Sequence, residues 1–556
     1  MSAARRLPPD LFPPWVVSPE LFIASTALFW AVALNRPLFA AVLRHATLAD
    51  GSLPWALLLG LAALLAALHA LLLGVVTTRH TLKPLVALLT VVGALEMHYA
   101  LNYGVVIDPS MVRNVLATDV AESRELLSWR LAADLLLYAA LPLTLLAAVR
   151  LEPRPWRAAI GRRSLLVAGS LGLLVVALLW QFQPISALTR NRKEVRYLVT
   201  PASTVWSLGS VLAAEARGAA RPRQPIGLDA VAGPVGPGHR PRLVVLAVGE
   251  TARAANWGLS GYARETTPQL AQVPGLLNFA DVTACGTSTE VSLPCMFAPV
   301  GRRDYDEARI RGSQSLLHVV ARAGVAVQWV DNQSGCKGVC EGLPTEAVSA
   351  ATAPGLCQNG RCWDEALVRA LDERLRGLRG NPGSTQLLVL HMLGNHGPSY
   401  YRRYPPAFER FKPACRDDDL GRCTREQIVN AYDNALLYTD HVLATLVARL
   451  SEQAAQIDST LMFVSDHGES LGERNLFLHG VPYAIAPREQ TQVPMVMWWS
   501  SGFATDIGLQ ADCMRERATR PARHDHLFHT VLSLLDVRTA LYEPTLDLTH
   551  GCRAAH

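Results

Sequence analysis

Six short stretches of the chain concentrate residues that can do chemistry. Gly249-Glu250-Thr251 closes one β-rich run, and Ser465-Asp466-His467-Gly468-Glu469 closes another, Leu461 to Val464. Two carboxylates and an imidazole delivered at adjacent strand ends could hold a zinc ion, which takes oxygen and nitrogen donors together. Between them in sequence lies Cys285-Gly-Thr-Ser-Thr289-Glu-Val-Ser-Leu-Pro-Cys295, a hydroxyl-rich turn running into a helix. A helix N-terminus presents free N–H groups to an anion, and a metal lowers the pKa of a hydroxyl bound to it, so Thr or Ser here could attack phosphorus. His391-Met-Leu-Gly-Asn-His396-Gly-Pro and His479-Gly add imidazoles that could stabilise phosphate oxygens, protonate a leaving alkoxide or bind a second metal. Lys337, between Cys336 and Cys340, offers a fixed positive charge. Each stretch alone also reads as a turn or an N-cap; their convergence carries the argument.

Such groups need a scaffold. From residue 242 onward, β-rich runs alternate with helical stretches, which predicts an α/β domain with a mainly parallel sheet. Leu243 to Val248, Val325 to Val330, Gln386 to Leu390, Thr460 to Val464 and Pro494 to Trp498 read as strands. Catalytic groups in such sheets gather beyond the carboxyl ends of the strands, where the motifs fall.

The N-terminal part faces a different solvent. Half of the 556 residues are hydrophobic and only 18% are charged, and the apolar ones crowd into residues 1–185. Five segments are long enough to cross a bilayer as helices: Pro19 to Leu43, Leu53 to Val76, Leu82 to Tyr103, Ala132 to Val149 and Ser164 to Phe182. Arg5 and Arg6, Arg79 and Lys83, and Arg150, Arg154, Arg157, Arg162 and Arg163 mark the cytoplasmic side. The N-terminus is then inside, and everything after the fifth span lies outside, in a bacterium the periplasm. All ten cysteines follow residue 284, as an oxidising compartment would allow. Short separations suggest the pairs 285 with 295, 336 with 340, 357 with 362 and 415 with 423, leaving 513 with 552, although spacing alone leaves connectivity open. Residues 104–130 read as a loop at the outer interface and residues 186–241 as interfacial helices followed by a Pro/Gly-rich linker. Nothing suggests nucleic-acid binding.

In order, GE250T, CGTST289…PC295, SGCK337GVC, H391xxGNH396GP, Tyr432-Asp433-Asn434 and SD466H467GES…H479G resemble the pattern of the phosphoethanolamine–lipid A transferases, which include the mobile colistin-resistance enzymes. ALNYGVVID…NVLATDVAES resembles the same family's outer loop, so the resemblance covers nearly the whole chain. It implies an alkaline phosphatase/sulfatase-like fold after residue 242 and a helical membrane domain before it. By position it implies that Glu250, Thr289, Asp466 and His467 bind zinc, that Thr289 is the nucleophile, and that His396 and His479 contact phosphate or a second zinc, with His391 close by. Ser334 and Lys337 match the headgroup pocket. Asn114, Thr118 and Glu122 match a lipid-binding set, and their i, i+4, i+8 spacing would place them on one helical face. Gln333 departs from the family, which often has Asn there.

The expected reaction moves phosphoethanolamine from phosphatidylethanolamine to a lipid A phosphate through a phosphothreonine, with the enzyme acting as a monomer. Added ammonium groups would offset surface charge and weaken polymyxin binding. A relative that modifies a glycan or another envelope acceptor is the nearest alternative, and an inactive lipid-binding membrane protein is the alternative from another class. A sulfatase is disfavoured, because neither Cys285 nor Cys295 begins the C-x-P-x-R sequence that formylglycine formation needs.

Overall fold

The computed structural model describes residues 15–45, 54–118, 120–191, 197–218, 222–233, 239–358, 360–379, 381 and 383–554. Arg5 and Arg6 of the topology argument, Leu53 at the head of the second span, and parts of the 186–241 region (192–196, 219–221 and 234–238) lie outside the described residues. The chain divides into two compact units, one of residues 1–109 and 128–210, the other of residues 110–127 and 211–556.

In the first unit, Trp55–Val76, Leu82–Tyr103, Trp129–Ala148 and Trp156–Trp180 are long and apolar enough to cross a membrane. The segment expected as the first span is a pair, Pro19–Leu34 and Arg36–Leu43, bent by 48°, which brings the spans to five where the pair counts as one. The cause is local. The backbone widens to a π-type turn over Trp30–Leu34, and the Asn35 amide donates to the Trp30 carbonyl at 2.8 Å and to that of Thr200 at 2.7 Å. Pro37 adds to this, since it has no N–H to return to the Ala33 carbonyl; a missing donor and carbonyls drawn to a side chain together interrupt the helical ladder and kink it. The last span also begins earlier than expected, at Trp156, so Arg157, Arg162 and Arg163 ride on its first turns. Leu136, Leu165 and Leu179 are exposed along these helices, as apolar residues are where lipid is the solvent. The chain is thus a multi-pass membrane protein.

The second unit is built on a seven-stranded sheet. Its strands are β1 (Arg242–Gly249), β2 (Leu277–Phe279), β3 (Ala326–Asp331), β4 (Thr345–Ala347), β5 (Thr385–His391), β6 (Asp458–Ser465) and β7 (Met495–Trp499), in spatial order β2-β7-β6-β1-β5-β3-β4. The five strands expected from sequence are all present. The three-residue edge strands β2 and β4 are additions too short to show a pattern. β6, β1, β5, β3 and β4 run parallel; β7 is antiparallel to β6, and β2, antiparallel to β7, takes the direction of the other five again. β1 and β6 are buried almost throughout, which explains why they read as continuous apolar runs.

Two expectations about connecting segments change. Residues 110–127 of the presumed outer loop belong to this second unit. Part of the presumed linker is laid onto it as well: Val231–Ala232 pairs with Val537–Arg538, and Arg223 bonds the Gly338 carbonyl. Five disulfides close in the unit, 285–295, 336–340, 357–362, 415–423 and 513–552.

Candidate active site

Parallel pairing sets Ser465 of β6 beside Gly249 of β1, so the chain leaves both central strands at the same level. Glu250 follows one and Asp466-His467 the other, all fully buried. Thr251, at φ +59, turns its N–H to Asp466 Oδ1 at 3.2 Å and its hydroxyl to Glu250 Oε1 at 2.5 Å. Gly394 is required close by: at φ +54, an added Cβ would meet the Glu250 carbonyl oxygen at 2.5 Å. The spent backbone turns, not the side chains alone, aim the two carboxylates at one point.

Thr289 opens the helix Thr289–Met296 and is buried. Its hydroxyl donates to Glu250 Oε2 at 2.9 Å and lies 3.3 Å from His467 Nε2. His467 Nδ1 is 2.9 Å from the Gly468 carbonyl, which can only accept, so Nδ1 carries a proton and Nε2 is the nitrogen that could offer a lone pair to a cation. That lone pair faces Glu250 Oε1 and Asp466 Oδ2, each at 3.4 Å. Asp466 Oδ2 is buried with no hydrogen-bond partner. One ligand atom from each of Glu250, Asp466 and His467 lies within 4.8 Å of the others. Three converging ligand atoms, one of them the unpartnered Asp466 Oδ2, suit a cation, and two oxygens, a nitrogen and a nearby hydroxyl suit zinc.

The electrostatics agree. Burial alone would raise the Glu250 carboxyl, but the imidazoles of His467, His396 and His479 outweigh it and hold the group below its ordinary range. Burial and the neighbouring Glu250 push Asp466 the other way, upward. Two carboxylates this close resist sharing one full charge state unless a cation joins them.

A second cluster flanks the first. The His479 ring is 4.4 Å from that of His467 and 5.7 Å from that of His396. His479 Nδ1 lies 2.9 Å from Glu469 Oε2, and Glu469 Oε1 accepts from the Tyr400 hydroxyl at 2.6 Å. His396 Nε2 lies 3.2 Å from Glu122 Oε1. Burial would raise Glu122, yet His396 overrides it and brings the carboxyl to about 2, while burial would lower His396 and Glu122 raises it.

Other expected residues are placed as follows. His391, at the end of β5, is fully buried with Nδ1 2.7 Å from Asp331 Oδ1, a partner the sequence reading missed. Lys337, at φ +47, is held by Ser334, with Nζ 2.8 Å from its hydroxyl and 3.1 Å from its carbonyl. In the same loop Gln333 donates to Glu250 Oε2 at 3.0 Å and so bonds a candidate ligand directly. Asn114, Thr118 and Glu122 do not share one continuous helix. Pro109–Ala117 ends where the Thr118 hydroxyl bonds back to the Asn114 carbonyl at 2.8 Å, and Val120–Glu125 starts anew. Glu122 is the member of this set that is brought to His396.

Sequence reasoning also passed over His524. It accepts from the Cys285 N–H at 3.0 Å through Nδ1, and its Nε2 lies 2.9 Å from the Ser465 carbonyl. It therefore ties the turn bearing Thr289 to the end of β6. Nothing around it in sequence carries a signal, since Arg-His-Asp-His is an ordinary helix start.

Comparison with known proteins agrees with this architecture. The Sulfatase family matches residues 242–537, and the family described as phosphoethanolamine transferase EptA/EptB matches residues 65–216. Phosphoethanolamine transferase EptA of Escherichia coli K12 is 37% identical over 478 residues, covering 85% of this chain and 86% of the relative. Phosphatidylethanolamine transferase Mcr-1 of Escherichia coli is 35% identical over 535 residues, covering 94% and 95%. The solved structure of the integral membrane lipooligosaccharide phosphoethanolamine transferase A of Neisseria meningitidis superposes with a TM-score of 0.92 at 36% identity, covering 98% of this chain and 100% of that one. With a Thr-centred, metal-ready site at the ends of β1 and β6 and relatives matched along nearly its whole length, the chain belongs to the phosphoethanolamine transferase family of the alkaline phosphatase/sulfatase superfamily.

Proposed function

We propose that the chain transfers phosphoethanolamine from phosphatidylethanolamine to a phosphate of lipid A through a phosphothreonine at Thr289, and that it depends on zinc. The observation that carries this reading is the Thr289 hydroxyl, buried between Glu250 and His467 and beside the unsatisfied Asp466 oxygen. Glu250, Asp466, His467 and Thr289 would hold the ion, which when bound lowers the pKa of the hydroxyl and offsets phosphate charge.

In the first half-reaction the Thr289 oxygen bonds to phosphorus and the bond to the diacylglycerol oxygen breaks. The hydroxyl proton passes toward Glu250, which already accepts its hydrogen bond, and a proton from His396 or His479 goes to the leaving oxygen. In the second, an oxygen of the lipid A phosphate bonds to the same phosphorus, giving its proton to the histidine that lost one, while the bond from Thr289 to phosphorus breaks and Thr289 regains its proton from Glu250. Lys337 and Ser334 hold the headgroup phosphate, His391 keeps its loop in register through Asp331, and Asn114, Thr118 and Glu122 meet the lipid donor. Most of the rate enhancement then comes from positioning and charge stabilisation around phosphorus.

Lipid A is favoured as acceptor because relatives named for lipooligosaccharide and Kdo(2)-lipid A phosphoethanolamine transfer match this chain. The arginine pattern and the five disulfides support an N-terminus in the cytoplasm and an active site in the periplasm of the inner membrane. Modified lipid A carries less net negative charge, so cells expressing the chain should resist polymyxins better. The test is mass spectrometry of lipid A from cells expressing the chain or its Thr289→Ala variant. A phosphoethanolamine adduct is expected with the first and absent with the second; an adduct undiminished in the variant would disprove the nucleophile.

A further inference from the structure

The segment bearing Glu122 is fixed at the site by a second carboxylate. Glu125 lies three residues on, hence on the same face of Val120–Glu125, and pairs with Arg403 through both terminal nitrogens of the guanidinium. The two side chains are 4% and 1% exposed. The remaining guanidinium donor, Arg403 Nε, bonds the His396 carbonyl oxygen at 2.6 Å. His396 in turn holds Glu122 at 3.2 Å through its ring. One guanidinium therefore grips both partners of the Glu122–His396 pair from behind, one by its backbone and the other by its helical turn. The neighbouring Arg402 makes the contrast clear: it is 44% exposed and pairs with Asp418 at the surface.

From this geometry we infer that Arg403 and Glu125 are positioning residues for donor-lipid transfer, setting the Glu122–His396 contact. The inference rests on the function proposed above and adds two residues that touch neither the candidate metal ligands nor Thr289 in any hydrogen bond described. Burying an ion pair costs desolvation that a surface contact would avoid, so its placement here calls for a return in geometry. Arginine suits the task because its planar fork serves two partners at fixed angles; lysine, whose three donors radiate from one nitrogen, does not reproduce that fork.

A double-mutant cycle on the full-length chain in detergent micelles, with phosphatidylethanolamine as donor, tests it. The proteins compared are the wild type, Glu122→Gln, Arg403→Lys and the double variant, each checked for metal content and thermal unfolding. Glu122→Gln and Arg403→Lys are each expected to lower kcat/KM by about tenfold or more, and Glu122→Gln to cost less than about threefold once Arg403 is lysine. A purely structural role would leave the two effects additive. Additivity, or an Arg403→Lys enzyme as active as the wild type, overturns the inference. Glu125→Asp, which keeps the charge at shorter reach, should show the same coupling; if it and Arg403→Lys both fail to fold, the pair is a stability element and the inference is also overturned. A wild-type enzyme that makes no phosphoethanolamine product from this donor would defeat the functional reading itself, whereas an active wild type with an additive cycle defeats only the positioning role.

Discussion

The two halves of the site are built by different means. Glu250, Asp466 and His467 follow directly on β1 and β6, where the register of a buried parallel sheet fixes them. Glu122, His396 and His479 come instead from three loops or short helices and meet through side-chain ion pairs and ring contacts. Strand ends give a position that tolerates little change, as chemistry at phosphorus requires. Loop-borne groups can be re-aimed between family members, as suits the handling of different lipids. Substitutions in the first half should therefore abolish turnover, and substitutions in the second should grade it.

The largest effect is expected from Asp466→Ala. Removing the unpartnered oxygen should strip the metal and bring transfer to background, read as metal content by mass spectrometry alongside product formation. Full metal retention would break the assignment of the first half. Next comes His479→Gln, for which kcat should fall by about 100-fold or more with metal retained, the scale of a lost acid–base group. If the metal is lost as well, the two halves are one unit and the contrast fails.

A smaller change is expected from Gln333→Asn. Asn is one methylene shorter and cannot span from the same backbone to Glu250 Oε2, now 3.0 Å away. Metal affinity, measured by competition with a chelator, should change by about tenfold or less, as is usual when a ligand loses an outer hydrogen bond. An unchanged affinity would show that this loop does not tune the first half.

The smallest effect concerns His524. Burial lowers its pKa from 6.5 to about 3, so the folded protein holds it neutral while the unfolded chain would protonate it. Its contribution to stability is complete above pH 6.5 and is lost as pH falls from 6.5 toward 3. Between pH 7 and 5 the Tm of the wild type should drop further than that of His524→Gln; parallel curves would show that the tie between the Thr289 turn and β6 does not depend on the neutral ring.

Much of the first half was legible in the residues. Buried parallel strands are continuous apolar runs, and two such runs that end in Gly-Glu-Thr and Ser-Asp-His-Gly together offer candidate ligands, so type and place arrive together. The second half was legible only as separate histidines. His396 and Glu122 are partners across more than 270 residues, as is Glu125 with Arg403, and no local pattern encodes such a meeting. The bend at Asn35 had a local signal in Pro37, but the contact of Asn35 with the Thr200 carbonyl spans 165 residues, and no local pattern encodes it.

By itself, then, the sequence determined the apolar spans, the central strands and the residues at their ends, because solvent partition and strand periodicity are local matters, while it suggested the cysteine pairs without fixing them. Only the tertiary structure decided which acceptors converge on one point, which carboxylate meets which imidazole, and that residues 110–127 belong with the catalytic unit. Those outcomes depend on distances between segments far apart in the chain, and such distances exist only once the sheet and its loops have packed.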